Sequence, residues 1–132
     1  MGYSVGIVGA SGAVGKEIIS VLEKSQDFPI DKLRLFGSSR SAGTKGAGDV
    51  EIELFSVSAA RECDVIFLAV SGDFAKEHAR DICDGDDGAV VIDNSVRFPS
   101  FKLSKRNEKC LISLSCFSFA SRPFVTNQKF LW

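Results

Sequence analysis

Val5-Gly6-Ile7-Val8-Gly9-Ala10-Ser11-Gly12-Ala13-Val14-Gly15 decides the fold: a short apolar strand runs into three glycines spaced three apart and then into a helix. Where a backbone must pass close to a ligand there is no room for side chains, so Gly9 and Gly12 leave the space a pyrophosphate needs. Gly15 lets the helix pack closely on the strand. The helix opening near Ala13 begins with N–H groups that have no intrahelical partner, and these donors, together with the helix dipole, favour an anion. Strand, glycine turn and helix in this order predict a dinucleotide site; a glycine-rich turn that binds nothing is the competing account.

Working outward, Ser4–Val8 reads as a buried first strand, and the segment after the turn sets Val14, Ile18, Val21 and Leu22 on one helical face. Phe28-Pro29 interrupts the helical pattern, and Leu33–Phe36 supplies a second strand that returns beside the first through a right-handed crossover. The sheet is therefore expected to be parallel. Gly37–Gly48, rich in Gly and Ser, reads as a loop at the carboxyl end of that strand, and Val50–Phe55 as a third strand at the sheet edge. Asp64–Val70 is a continuous apolar run led by β-branched residues, as a central strand covered on both faces requires. Ser71-Gly72 closes a turn, Phe74–Cys83 forms a helix with Ala75, Ala79 and Ile82 toward the sheet, and Ala89–Asp93 adds another buried strand. The fold class is α/β, an incomplete, doubly wound parallel sheet.

After Asn94-Ser95 the regularity stops. Val96–Trp132 carries six of the eleven phenylalanines, has no sustained period of two or 3.6, and offers one apolar stretch, Leu111–Ala120, that is short and serine-broken. It reads as an irregular tail. Charge divides at the same place: residues 1–95 hold 9 Lys and Arg against 16 Asp and Glu, whereas 96–132 hold 7 against 1. The expected division is a nucleotide-binding domain over 1–95 and a divergent tail over 96–132. A total of 132 residues suits one domain and is short for a two-domain enzyme.

Composition removes several classes of function. The basic tail lacks the aromatic interleaving of a nucleic-acid module, so no nucleic-acid partner is expected. Cys63, Cys83, Cys110 and Cys116 form no Cys-x-x-Cys pair and have no clustered His or acidic ligands, which argues against a metal site and for a reduced compartment. A strand beginning by Tyr3 or Ser4 leaves no room for a leader, and no apolar run approaches a membrane span. The expected location is cytosolic, with a plastid open only if a targeting segment is missing from this chain.

The end of the second strand selects the dinucleotide. NAD sites usually place an acidic side chain there for the adenosine ribose, and Asp31, at a tempting spacing, precedes the strand and so falls at the wrong end of the sheet. Gly37-Ser38-Ser39-Arg40-Ser41-Ala42-Gly43 instead offers a guanidinium and hydroxyls that suit a 2′-phosphate, which points to NADP; a solvated loop arginine is the alternative. Ser71-Gly72 lies at the carboxyl edge, where the bare Gly72 backbone could meet the nicotinamide or its ribose, or simply form a turn. Asn94 could hydrogen-bond the nicotinamide side or cap a turn. His78, on the helix after the fourth strand, has no neighbouring nucleophile in an interpretable motif and reads as a half-packed helix histidine. No cysteine has a partner whose spacing implies activation.

Val-Gly-Ile-Val-Gly-Ala-Ser-Gly-Ala-Val-Gly, Phe-Pro-Ile-Asp-Lys-Leu-Arg-Leu-Phe-Gly-Ser-Ser-Arg-Ser-Ala-Gly and Val-Ile-Asp-Asn-Ser together resemble the amino-terminal domain of aspartate-semialdehyde dehydrogenase, over about residues 2–95. N-acetyl-γ-glutamyl-phosphate reductase shares the glycine turn, but the Ser-Ser-Arg-Ser-Ala-Gly loop favours the aspartate enzyme. The resemblance implies a Rossmann-like domain in which Ser11, Gly12, Ala13 and Val14 contact the NADP pyrophosphate, Arg40 and Ser41 bind the 2′-phosphate, and Ser71-Gly72 approach the nicotinamide. In the family reaction a cysteine thiolate attacks the aldehyde, hydride passes to NADP and phosphate releases the acyl group; the reverse direction serves amino-acid biosynthesis.

The likeness departs at Val96. Where the family continues to Phe-Arg, this chain reads Val96-Arg97-Phe98-Pro99, and the family's Asn-Cys-x-Thr nucleophile motif has no counterpart around Cys110 or Cys116. No catalytic residue is therefore assigned. The resemblance implies an oxidoreductase domain that binds NADP(H) and is inactive alone. Two alternatives stand beside it: activity on a semialdehyde after assembly with a homologous full-length subunit, or a regulatory fragment that binds nothing. The abrupt switch at Val96 is what a frameshift, retained intron or alternative exon would produce.

Overall fold

The computed structural model describes residues 2–94 and the short strand 111–113. Strands β1 (Tyr3–Val8), β2 (Ile30–Gly37), β3 (Ile52–Leu54), β4 (Val65–Leu68), β5 (Val90–Asp93) and β6 (Leu111–Ser113) form one sheet in the order β3-β2-β1-β4-β5-β6, and every neighbouring pair is parallel. Helices are α1 (Ala13–Lys24), α2 (Val57–Arg61) and α3 (Gly72–Cys83). The chain builds β1, β2 and β3 outward in one direction, then returns to the other side of β1 for β4 and β5. The carboxyl ends of β1 and β4 therefore flank the point where strand order reverses, the position at which open α/β sheets bind ligands.

Alternation along each strand sorts the core onto two faces. Ile7, Leu35 and Ile52 join Ala10 and Ile19 under α1, while Val8, Phe36, Ile66 and Leu68 join Ala75, Ala79 and Ile82 under α2 and α3. Ala75, Ala79 and Ile82 are buried, as their spacing on α3 predicts. The α1 face differs from expectation: Gly15 and Ile19 are buried with Ile18 and Leu22 packed beside them, whereas Val14 is 45% and Val21 58% exposed. Gly15, Ile18, Ile19 and Leu22 form the i, i+3, i+4, i+7 stripe, and the close approach at Gly15 turns Val14 and Val21 to its flank.

Other boundaries shift for local reasons. The third strand is shorter than Val50–Phe55 because a 3-10 turn, Ala47–Asp49, consumes the approach and Val50 caps it. Helix α2 was not apparent in the sequence: five residues show no periodicity, and its signal is Ser56, whose hydroxyl accepts the Ala59 N–H at 3.2 Å. Asp31 lies within β2 rather than before it, at the amino edge, where its carboxylate accepts the Gly2 N–H at 2.8 Å. In the tail, Leu111–Ser113 pairs with β5; the other residues expected to be irregular lie outside the described residues.

One charged side chain organises the β2 side of the sheet. Arg34 donates to both Glu53 carboxylate oxygens at 2.9 and 2.6 Å, to Glu62 at 2.8 Å and to the Ala59 carbonyl at 3.0 Å. Its guanidinium also lies 5.0 Å from the Phe36 ring centroid. With an 11% exposed side chain, Arg34 joins β2 to β3 and α2, and the Glu53 hydrogen bonds raise its pKa still further above an already high value while lowering that of Glu53.

Candidate functional site

Because every strand is parallel, the segments singled out in the sequence emerge at one edge: Gly9–Val14 after β1, Gly37–Ser41 after β2, Ser71-Gly72 after β4 and Asn94 after β5. The turn after β1 is tied to β2, since the Gly9 and Ala10 N–H groups both donate to the Phe36 carbonyl, at 2.9 and 3.3 Å.

The three glycines have different tasks. Gly9 has φ +84°, and a Cβ there would collide with the Ala69 carbonyl, so it serves the turn and the approach of β4. Gly15 sits against the Gly9 carbonyl and lets α1 close on the turn, as its spacing predicts. Gly12 alone faces open space: a Cβ there would meet only the Gly9 carbonyl, at 3.4 Å. It also serves as the N-cap of α1 with no side-chain cap and no acidic residue in the first turn, which leaves the helix's first N–H donors directed outward beside exposed Ser11, Ala13 and Val14.

The Gly37–Ser41 loop divides its side chains. Arg40 is exposed and has no hydrogen bond or ion pair among the described residues. Ser41 turns inward instead: its hydroxyl donates to the Ser38 carbonyl at 3.2 Å, in the space a Gly37 side chain would fill. Thr44 in turn donates to the Ser41 carbonyl at 2.6 Å. At the other end of the edge, Ser71 caps α3 by accepting the Phe74 N–H at 3.4 Å, and Gly72 is the first helical residue. The Asn94 backbone N–H donates to the Leu68 carbonyl at 3.2 Å, leaving an exposed side chain beside buried Asp93.

No described cysteine is prepared as a nucleophile. Cys63 is buried and Cys83 half-buried, and burial raises both thiol pKa values, which disfavours the thiolate. Cys110 and Cys116 lie outside the described residues. His78 is packed between aromatic rings, 4.4 Å from Phe74 and 5.3 Å from Phe55 by ring centroids. Among the described residues there is no cluster of three metal-ligating side chains, and no helix is long and apolar enough to cross a membrane.

The family model described as semialdehyde dehydrogenase, NAD binding domain, matches residues 4–102. The chain belongs to the semialdehyde dehydrogenase family. Its described region is the NAD(P)-binding domain of the aspartate-semialdehyde dehydrogenases within that family. It is 39% identical to aspartate-semialdehyde dehydrogenase of Aquifex aeolicus over 99 residues, covering 72% of this chain and 28% of the relative. A probable aspartate-semialdehyde dehydrogenase structure from Pseudomonas aeruginosa is similar with a TM-score of 0.66 and 26% identity, over 86% of this chain and 37% of that one. The Candida albicans enzyme, solved with NADP, is similar with a TM-score of 0.57 and 28% identity, over 70% of this chain and 29% of that one. The chain thus spans about a quarter of the length of the curated relatives it matches, and the family match runs past Ser95, where the sequence pattern breaks.

Lys16 and the Thr44–Ala47 segment were missed as site residues. They line a cavity beside Ser11. Lys16 follows the third glycine directly, but nothing local in the sequence indicates that the loop before β3 folds back to face it.

Proposed function

We propose that this chain binds NADP across its carboxyl edge as an aspartate-semialdehyde dehydrogenase-type domain and does not complete the family's reaction alone. One observation carries this reading: an uncapped helix start behind the open side of Gly12 shares an edge with the guanidinium of Arg40, which is unpaired among the described residues. The N–H groups of Ala13 and Val14 suit the pyrophosphate, and Arg40 suits a 2′-phosphate. Ser41 would reach that phosphate only by turning from the Ser38 carbonyl. Ser71-Gly72 and Asn94 are left for the nicotinamide side.

Bound there, NADP would supply the hydride acceptor; burial raises the thiol pKa values of Cys63 and Cys83, which disfavours either one as the nucleophile for an aldehyde. The Candida albicans relative, solved with NADP, supports the choice of cofactor. Titration of the purified chain with NADPH, followed by cofactor fluorescence, tests the reading: saturable binding tighter than that of NADH is expected, and no saturable change would refute it. An absorbance assay with aspartate semialdehyde, phosphate and NADP should show no turnover by this chain alone.

A further inference from the structure

The cavity beside the glycine turn has a volume of about 380 Å³, and its walls come from two distant segments: Ala10 and Ser11 in the turn before α1 with Lys16 in its first turn, and Thr44, Lys45 and Gly46 before β3. Ala47 and buried Ile52 complete its lining. The volume is within the range of small-molecule sites, and apolar residues joined by a few polar groups are the usual lining of one.

Among the described residues no Asp or Glu lines this cavity, whereas two lysines do. The Lys16 side chain has no hydrogen bond or ion pair among the described residues. Among the described residues the Lys45 ammonium is held by Asp49 alone, at 3.1 Å, and with side chains 72% and 86% exposed this solvated pair competes weakly with a better anion. Two like charges on one cavity repel, and an anion between them removes that cost. The cavity also lies on a defined side: the segment between β2 and β3 lines it, and the carboxyl end of the second strand of such a sheet is where the adenosine ribose is met. The Thr44 hydroxyl bond to the Ser41 carbonyl links its wall to the loop bearing Arg40.

We propose that this cavity seats the 2′-phosphate of the dinucleotide between Lys16 and Lys45, with the Ser11 hydroxyl donating to it, so that Lys16 is a determinant of NADP over NAD. The inference rests on the dinucleotide reading above and adds a binding residue from α1 to the arginine loop. Lys16 stands one turn from the pyrophosphate donors, so one short segment addresses both anionic parts of the ligand.

Titration of the full chain and of Lys16→Ala, Lys45→Ala and Lys16→Arg with NADPH, NADH and adenosine 2′,5′-bisphosphate tests this, with circular dichroism confirming the fold of each variant. Lys16→Ala should weaken NADPH and the bisphosphate about tenfold and leave NADH within about twofold, Lys45→Ala should act in the same direction, and Lys16→Arg should retain most of the affinity. Equal losses for NADPH and NADH, or none, would overturn the proposal while leaving dinucleotide binding intact. Absence of binding of either dinucleotide to the unaltered chain would instead remove the underlying reading. Titration with inorganic phosphate separates the two sources of the anion: a Lys16-dependent phosphate site with no NADPH preference would overturn the dinucleotide assignment in favour of free phosphate.

Discussion

Gly15 lies against the Gly9 carbonyl so closely that a Cβ at position 15 would overlap it, and the Ala10 Cα would be only 2.8 Å away. Within a helix, alanine is ordinarily about 1 kcal/mol more favourable than glycine. Here the clash is with backbone that cannot rotate away, so Gly15→Ala should destabilise the domain by about 1–3 kcal/mol. Denaturant unfolding measures the sign directly, and a stabilised variant would refute the packing account.

Gly12→Ala should behave in the opposite way. At φ −76° and ψ 167° the residue tolerates a side chain, and the added carbon meets only the Gly9 carbonyl at 3.4 Å. Stability should change by less than about 1 kcal/mol, the usual cost of alanine at an N-cap. Affinity for NADPH and NADH should fall together, since the methyl enters space assigned to the pyrophosphate they share. A loss confined to NADPH would place the pyrophosphate elsewhere.

Arg40→Ala should separate the two cofactors. The guanidinium is exposed and unpaired among the described residues, so its removal leaves no orphaned partner and little change in stability is expected. NADPH binding should weaken about tenfold and NADH binding hardly at all, as measured by fluorescence titration. Equal losses for both would contradict a 2′-phosphate role.

The Arg34–Glu53 pair makes stability depend on acid pH. Arg34 lowers the Glu53 pKa in the folded protein from its ordinary 4.5, so the unfolded chain binds the proton first as pH drops. The stabilisation is fully present above pH 4.5 and is lost as pH falls through the lowered folded value. Glu53→Gln should flatten that acid limb and cost about 1 kcal/mol at neutral pH, a modest figure because the Glu53 side chain is 43% exposed. Unfolding midpoints across a pH series would show it; an unchanged acid limb would assign the dependence to other carboxylates.

The parallel sheet and its glycine-rich carboxyl edge were legible because they rest on short-range pattern: the apolar runs at Val5–Val8 and Val65–Leu68, the glycine spacing, and the Ala75, Ala79, Ile82 stripe. Helix α2 was hidden because five residues give no period, and the exposure of Val14 and Val21 depends on how closely Gly15 brings α1 to the turn. For the same reason the inward turn of Ser41 could not be read from a loop whose serines look alike: it follows from the empty space beside Gly37.

By itself the sequence determined the strand-turn-helix unit, the arginine in the loop after the second strand and the resemblance to one enzyme family, since each is carried by residues close together in the chain. Only the tertiary structure decided which glycine faces open space, and that Lys16 shares a cavity with Lys45. Both depend on where β4 and the loop before β3 return against the turn, and long-range packing of that kind leaves no local pattern in the amino acids.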